Sequence, residues 1–197
     1  MPRLFRASLY VAGVAVIGCA GSPTPPFEIV QNEDLPATAC AGMGGQFRNE
    51  GKQTVTSGRE PPALGKTYLD QFASNQAMPK TYQYHAQERK VVHLSATVQV
   101  TIDGAGGLIL QFLDANGNEL ARDRSRGNPW KCQKAGLVRT YVTRGGGEGA
   151  STDLTIRESI GFTDAALVVR HHWHFAPTLL TSGRDSYFED RFERVVK

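Results

Sequence analysis

From residue 89 onward, apolar and polar positions alternate, and the runs are separated by glycine- and asparagine-rich breaks. Over 89–103, Val92, Leu94, Ala96, Val98 and Val100 share one side of an extended chain. Val91, His93, Ser95, Thr97 and Gln99 share the other, a period of two that predicts a half-buried strand. Asp103-Gly104-Ala105-Gly106-Gly107 predicts a turn and 108–113 a second strand. Asn116-Gly117 predicts a tight hairpin into Glu119-Leu120-Ala121, because both residues tolerate the positive φ of a type I′ turn. Further strands are predicted over 137–144, 151–160, 166–175 and 186–195, with breaks at 145–149 and Thr163-Asp164. Upstream, Gln46-Phe47-Arg48-Asn49 is a short candidate strand. One helix is expected from about Leu64 to Ser74, after Pro61-Pro62 and through Tyr68, Leu69 and Phe72.

The fold class that follows is all-β: an antiparallel meander of about seven or eight strands with one short helix. The connections are too short for parallel crossovers. Such a meander is expected to close into a small barrel or half-barrel, with a curled, sandwich-like sheet as the alternative.

The first residues break this pattern. Arg3 and Arg6 precede the stretch 9–17, which is apolar apart from Tyr10 and Gly13 and shorter than the roughly 20 residues of a bilayer-spanning helix. A charged start, a short apolar run and small residues after it describe a secretory signal, with a buried core helix as the plainer alternative. The run ends in Val16-Ile17-Gly18-Cys19-Ala20, which resembles the lipobox of bacterial lipoproteins. The resemblance implies that diacylglycerol is added to the Cys19 thiol and that cleavage follows Gly18, whereas an incidental cysteine behind a plain signal implies neither. Ala20, in place of aspartate, implies sorting to the outer membrane, facing the periplasm. The domain plan is then a signal peptide over 1–18, a lipidated cysteine and proline-rich tether over 19–38, and a β domain over 39–197.

Charge adds little to this. The chain has 22 basic and 19 acidic side chains, and loss of Arg3 and Arg6 with the signal leaves it almost neutral. No block of five like charges occurs, so nothing marks a nucleic-acid footprint. With Cys19 acylated, Cys40 and Cys132 remain, and an even pair in an oxidising compartment points to a disulfide closing a loop of about 90 residues.

Beyond the lipobox, Gly45-Gln46-Phe47-Arg48-Asn49-Glu50-Gly51 and Leu113-Asp114-Ala115-Asn116-Gly117-Asn118-Glu119-Leu120-Ala121 appear in order. Leu167-Val168-Val169-Arg170 and Phe188-Glu189-Asp190-Arg191-Phe192 follow them. Together they resemble small uncharacterised proteobacterial lipoproteins, a group that brings no function with it. The early Gly-x-Phe-x-Asn also loosely resembles the first strand of lipocalin-like barrels.

Candidate chemistry is sparse. On a strand, His172 and His174 share a face with Arg170, and His171 shares the other with Trp173 and Phe175. Two histidines at i, i+2 are weak candidates for a metal and need a third ligand, with His85 or His93 conceivable only if the fold brings them near. The neighbouring Arg170 disfavours a cation. Gly145-Gly146-Gly147-Glu148-Gly149 lacks the following helix that a phosphate cradle requires and reads as a hairpin. Arg122, Arg124 and Arg126, with Lys131 and Lys134, form a basic edge that suits either anionic headgroups or protection against edge-to-edge pairing. Asp185, Glu189 and Asp190 lie among arginines, as surface ion pairs do. No catalytic residue and no cofactor is nominated. The leading expectation is a non-enzymatic envelope lipoprotein that contacts the membrane through its lipid and an envelope protein or lipid through its domain. The alternatives are a lipocalin-like carrier of a small apolar ligand and a metal-dependent periplasmic protein using His172 and His174.

Overall fold

The computed structural model describes residues 25–29, 33–57, 62–72, 78–124, 130–134, 136–145, 152–177 and 183–196. The lipobox and signal stretch therefore lie outside the described residues, as do Arg126 and the glycines at 146, 147 and 149.

The expectation of an all-β antiparallel fold holds, but thirteen strands are present among the described residues in place of the seven or eight expected. One sheet has four strands, β1 (Gly44–Arg48), β6 (Thr97–Ile102), β7 (Leu108–Leu113) and β8 (Glu119–Arg124), in that order. The other has seven: β3 (Ala63–Tyr68), β2 (Glu50–Thr56), β13 (Arg184–Glu193), β12 (Ala166–Phe175), β11 (Thr152–Phe162), β10 (Gly136–Gly145) and β9 (Lys131–Gln133). A hairpin of β4 (Tyr82–His85) and β5 (Lys90–His93) stands apart. Among the described residues no pairing joins the outer strands β3 and β9, so the large sheet stays open. The two sheets instead enclose one core, in the manner of a sandwich.

That core takes Phe47, Val98, Val100, Leu110 and Phe112 from the small sheet, and Leu137, Ile160, Leu167, Val169 and Phe192 from the large one. Phe47, Phe112 and Phe192 are fully buried. Each side chain of this kind stabilises the fold by roughly 1.5–3 kcal/mol on removal from water. Burial alternates along β7, as in a strand with one face in the core.

Four details differ from the sequence reading. The helix expected from Leu64 begins as strand β3. Only Leu69–Phe72 turns, as a single 3-10 turn, and the short helix is one turn at Met78–Thr81. Tertiary pairing of β3 with β2 overrides the local helical spacing of Tyr68, Leu69 and Phe72.

The single strand expected over 89–103 is two strands, β5 and β6. At the break, Leu94 and Ser95 donate backbone N–H bonds to the Thr81 carbonyl, and the buried Ser95 hydroxyl donates to the carbonyl of Thr97. A side chain that bonds its own neighbouring backbone competes with ladder pairing in this way.

The Asn116-Gly117 hairpin forms, but only Gly117 has positive φ (+84°), with Asn116 outside that region. It is a three-residue loop closed by Asp114, whose carboxylate accepts the Asn116 and Asn118 N–H groups. The Asp103–Gly107 turn repeats the design, with Gly106 at +79° and the Asp103 carboxylate accepting from Ala105 and Gly107.

The segment assigned to the tether also touches the domain. Phe27 packs edge-on against Tyr187, 5.5 Å between centroids, under the Arg170 guanidinium. Further along, Asp34 pairs with Lys131 and Gln133.

Cys40 and Cys132 form a disulfide that spans 92 residues and sits in the core. It ties the start of the domain to β9, the outer strand, where the Leu35 N–H also bonds the Cys132 carbonyl. A link of this span raises stability by about 4 kcal/mol when it acts by restricting the unfolded chain. We expect reductant, or Cys40→Ala with Cys132→Ala, to lower the melting temperature by roughly 10 °C in calorimetry. An unchanged melting temperature refutes the link.

Candidate functional site

The large sheet is longer than the small one, and the uncovered half of its inner face holds the site. Residues facing that side are Leu137, Arg139 and Tyr141 on β10, Ile156, Glu158 and Ile160 on β11, and Val169, His171 and Trp173 on β12. On β13 and β2 they are Ser186, Phe188 and Asp190, then Gln53 and Val55.

Where the core ends, a row of polar side chains crosses five adjacent strands. Arg139, Glu158 and His171 are register partners, and the row then steps diagonally to Asp190 and its partner Gln53. The Arg139 Nε donates to Glu158. His171 Nδ1 lies 2.9 Å from the other Glu158 oxygen and its Nε2 3.4 Å from Asp190. Gln53 Nε2 donates to Asp190 at 2.8 Å. Glu158, His171 and Asp190 are only 5%, 8% and 3% exposed, so these charges are held by one another rather than by water. Burial opposes the charged imidazole, but hydrogen bonds and charge from Asp190 and Glu158 outweigh it and push His171 up to about 9. Burial likewise opposes the Glu158 carboxylate, and His171 and Arg139 together hold it below its ordinary value.

Above this row opens a pocket of about 500 Å3, lined by Gln53, Thr67, Gln71, Arg139 and Trp173 among others, with Phe188 and the charged row. Trp173 and Phe188 lie 4.8 Å apart, tilted by 53°. The Arg139 guanidinium covers Trp130 at 4.3 Å and Tyr141 at 5.2 Å. Trp173 Nε1 and Ser186 Oγ, on register partners, are buried without a hydrogen-bond partner, an uncommon state for such groups.

The histidine faces are as the alternation predicts. His172 and His174 lie on the outer face, and both bond Asp185 Oδ1, at 2.7 and 3.0 Å. His172 also stacks on Tyr187, 4.6 Å away. Those hydrogen bonds outweigh partial burial and hold Asp185 below its ordinary value. His93 is engaged elsewhere, by buried Asp70 at 2.9 Å and by a stack on Tyr68 at 3.6 Å, while His85 ends the exposed strand β4. No group of three or more His, Cys, Asp or Glu side chains among the described residues is arranged to hold a metal ion.

Three side chains of the basic edge are paired: Arg122 with Glu119, Arg124 with Asp103 and Lys131 with Asp34. Glu189 pairs with Arg170 as a surface pair, but Asp190 does not. It is buried in the polar row, because its parity on β13 turns it inward. Sequence reasoning missed Arg139, Glu158 and Gln53. Their signal was a polar residue at an inward position of an alternating strand. A second cleft, along Arg48, Lys52, Arg191 and Glu193, holds exposed ion pairs of little energetic weight.

No family model, curated protein or solved structure matches the chain.

The row sets a pH profile. The contribution of His171 is complete below its unfolded value of 6.5 and is lost as pH rises through about 9. That of Glu158 is complete above 4.5 and is lost as pH falls through its lowered folded value. Urea titrations across pH should therefore show stability falling between about pH 7 and 9, and His171→Gln should flatten that limb. His171→Ala, which strips two buried carboxylates of the cation between them, should cost about 3–5 kcal/mol. A wild-type limb that stays flat to pH 9 contradicts the assignment.

Proposed function

We propose that this protein is a lipid-anchored cell-envelope binding module whose ligand occupies the pocket above the charged row. The observation that carries the reading is that pocket. It has the size of a small-molecule site, it combines an aromatic wall with a few fixed polar groups, and its polar groups are already oriented by one another.

Two arguments favour binding over catalysis. Both His171 nitrogens face carboxylates, and a ring held protonated to about 9 has no lone pair with which to act as a base at neutral pH. Ser186 Oγ has no hydrogen-bonded base to activate it. The lipocalin-like alternative calls for a closed barrel with an apolar lumen. A core filled by Phe47, Phe112 and Phe192 counts against it.

The anchor rests on the lipobox pattern around Cys19 and the short apolar run before it. Two or three acyl chains would make attachment effectively permanent, since one alone holds only marginally. Palmitate labelling in cells should mark the wild-type chain and leave Cys19→Ser unlabelled and released from the membrane fraction. Equal labelling of both overturns the anchor.

For the pocket, native mass spectrometry of protein extracted from membranes should detect a bound small molecule. Gln71→Trp, at an exposed position on the rim, should reduce occupancy at least tenfold without changing the melting temperature. Equal occupancy in both proteins, or none in either, refutes the site.

A further inference from the structure

We infer that the pocket takes a neutral saccharide, an inference that rests on the binding reading above. The first support is electrostatic. Arg139 and His171 contribute two positive charges to the row, Glu158 and Asp190 two negative ones, and every one of these is bonded to a partner of opposite sign. The charges of the floor sum to zero, so a charged ligand brought onto it would carry a charge that nothing in the row neutralises, which is costly once desolvated. A neutral ligand meets no such penalty.

The second support is the hydrogen-bonding pattern. Glu158 and Asp190 each accept one bond on each oxygen, and a carboxylate oxygen has room for a second. Arg139 uses its Nε on Glu158 and retains other N–H donors. Gln53 and Gln71 add amides at the wall and Thr67 a hydroxyl. Donors and acceptors therefore alternate along the floor, which suits a ring bearing hydroxyls that both donate and accept. The mutual bonds fix these groups in advance, so little ordering is required on binding.

The third support is the wall. Trp173 and Phe188 form one tilted aromatic surface beside the floor. A sugar ring presents C–H groups on its faces and hydroxyls on its rim, so a face lies on the aromatic wall while the rim meets the polar row. A fatty chain would leave the spare donors and acceptors of the row unmet, and a flat aromatic ligand would leave most of them unused. Trp173 Nε1, buried and without a partner beside the same wall, is a donor that a ligand oxygen can reach by a small shift of the ring.

The test is isothermal titration of the full, lipidated chain in a sugar-free detergent. The probes are cellobiose, maltotriose and N,N′-diacetylchitobiose, with glucose 6-phosphate, glucosamine and palmitate as charged and apolar comparisons. At least one neutral saccharide should bind, and more tightly than any comparison compound. Trp173→Ala should weaken that binding by about tenfold through loss of the stacked wall. Gln71→Ala, on an exposed rim position whose loss leaves the core intact, should weaken it measurably and covers the case in which the Trp173 variant fails to fold. Failure of all three neutral saccharides, or tighter binding of a charged or apolar probe, overturns the saccharide inference. If a ligand sensitive to Gln71→Trp is nonetheless found on the native protein, the binding reading stands and only the saccharide class falls. If no such ligand is found, both fall.

Discussion

A buried charge must be paired, and in this protein that requirement is met by running the pairs sideways across a sheet. Arg139, Glu158, His171, Asp190 and Gln53 each come from a different strand, and neighbouring strands hold the partners at ladder spacing. The hydrogen bonds and ion pairs described for the row all lie within the large sheet. The row therefore does not need a lid, and the small sheet can end where the apolar core ends. Had these positions been valine or leucine, the apolar face would have continued under the uncovered half of the sheet and required covering. Charge pairing here fixes the border between interior and pocket.

The same border explains the two halves of the long strands. At the Val169 level the inward residues of β10, β11 and β12, Leu137, Ile160 and Val169, are aliphatic and sealed. Two positions beyond the row they are Tyr141, Ile156 and Trp173, of which Tyr141 and Trp173 are only partly covered, with Leu154 and Phe175 following. Trp173 and Ser186 sit at the junction, where their polar atoms reach neither the core hydrogen-bond ladders nor the charged row. A fold that buries unpartnered donors at the rim of a preformed pocket carries a small destabilisation, and such sites concentrate where a ligand completes the set.

Strand-level features were readable in the chain because they depend on neighbours in sequence. The apolar run over 108–113 and the valine- and aromatic-rich run over 166–175 gave the strands, and side-chain alternation along the second gave the two faces of His171 and His172. Turn residues gave the breaks at 103–107 and 114–118. What the chain concealed depends on neighbours in space. β2 pairs with β3 on one side and with β13, from the far end of the sequence, on the other, and the sequences of β2 and β3 are too mixed to reveal this. Asp190 reads as one more surface acid until β13 has a register. The pocket requires the relative lengths of two sheets, which no local pattern encodes. Cys40 and Cys132 were legible for a different reason: with one thiol assigned to lipid, pairing of the other two follows from parity and compartment.

The position of the N-terminal segment connects anchor and pocket. Phe27 packs on Tyr187 and Arg170, which belong to the outer face of the large sheet, whereas the pocket opens on the inner face. On the proposed anchoring, the six peptide units from Cys19 to Pro25 reach at most about 20 Å. With Cys19 anchored in that way, a leash that short, starting from the outer face, would keep that face toward the bilayer and turn the pocket away from it. A module built to extract acyl chains would gain from the opposite orientation, with its cavity facing the lipid. Holding the pocket toward the aqueous side instead favours a polar, water-borne or wall-bound ligand, the class to which the neutral floor and aromatic wall independently point.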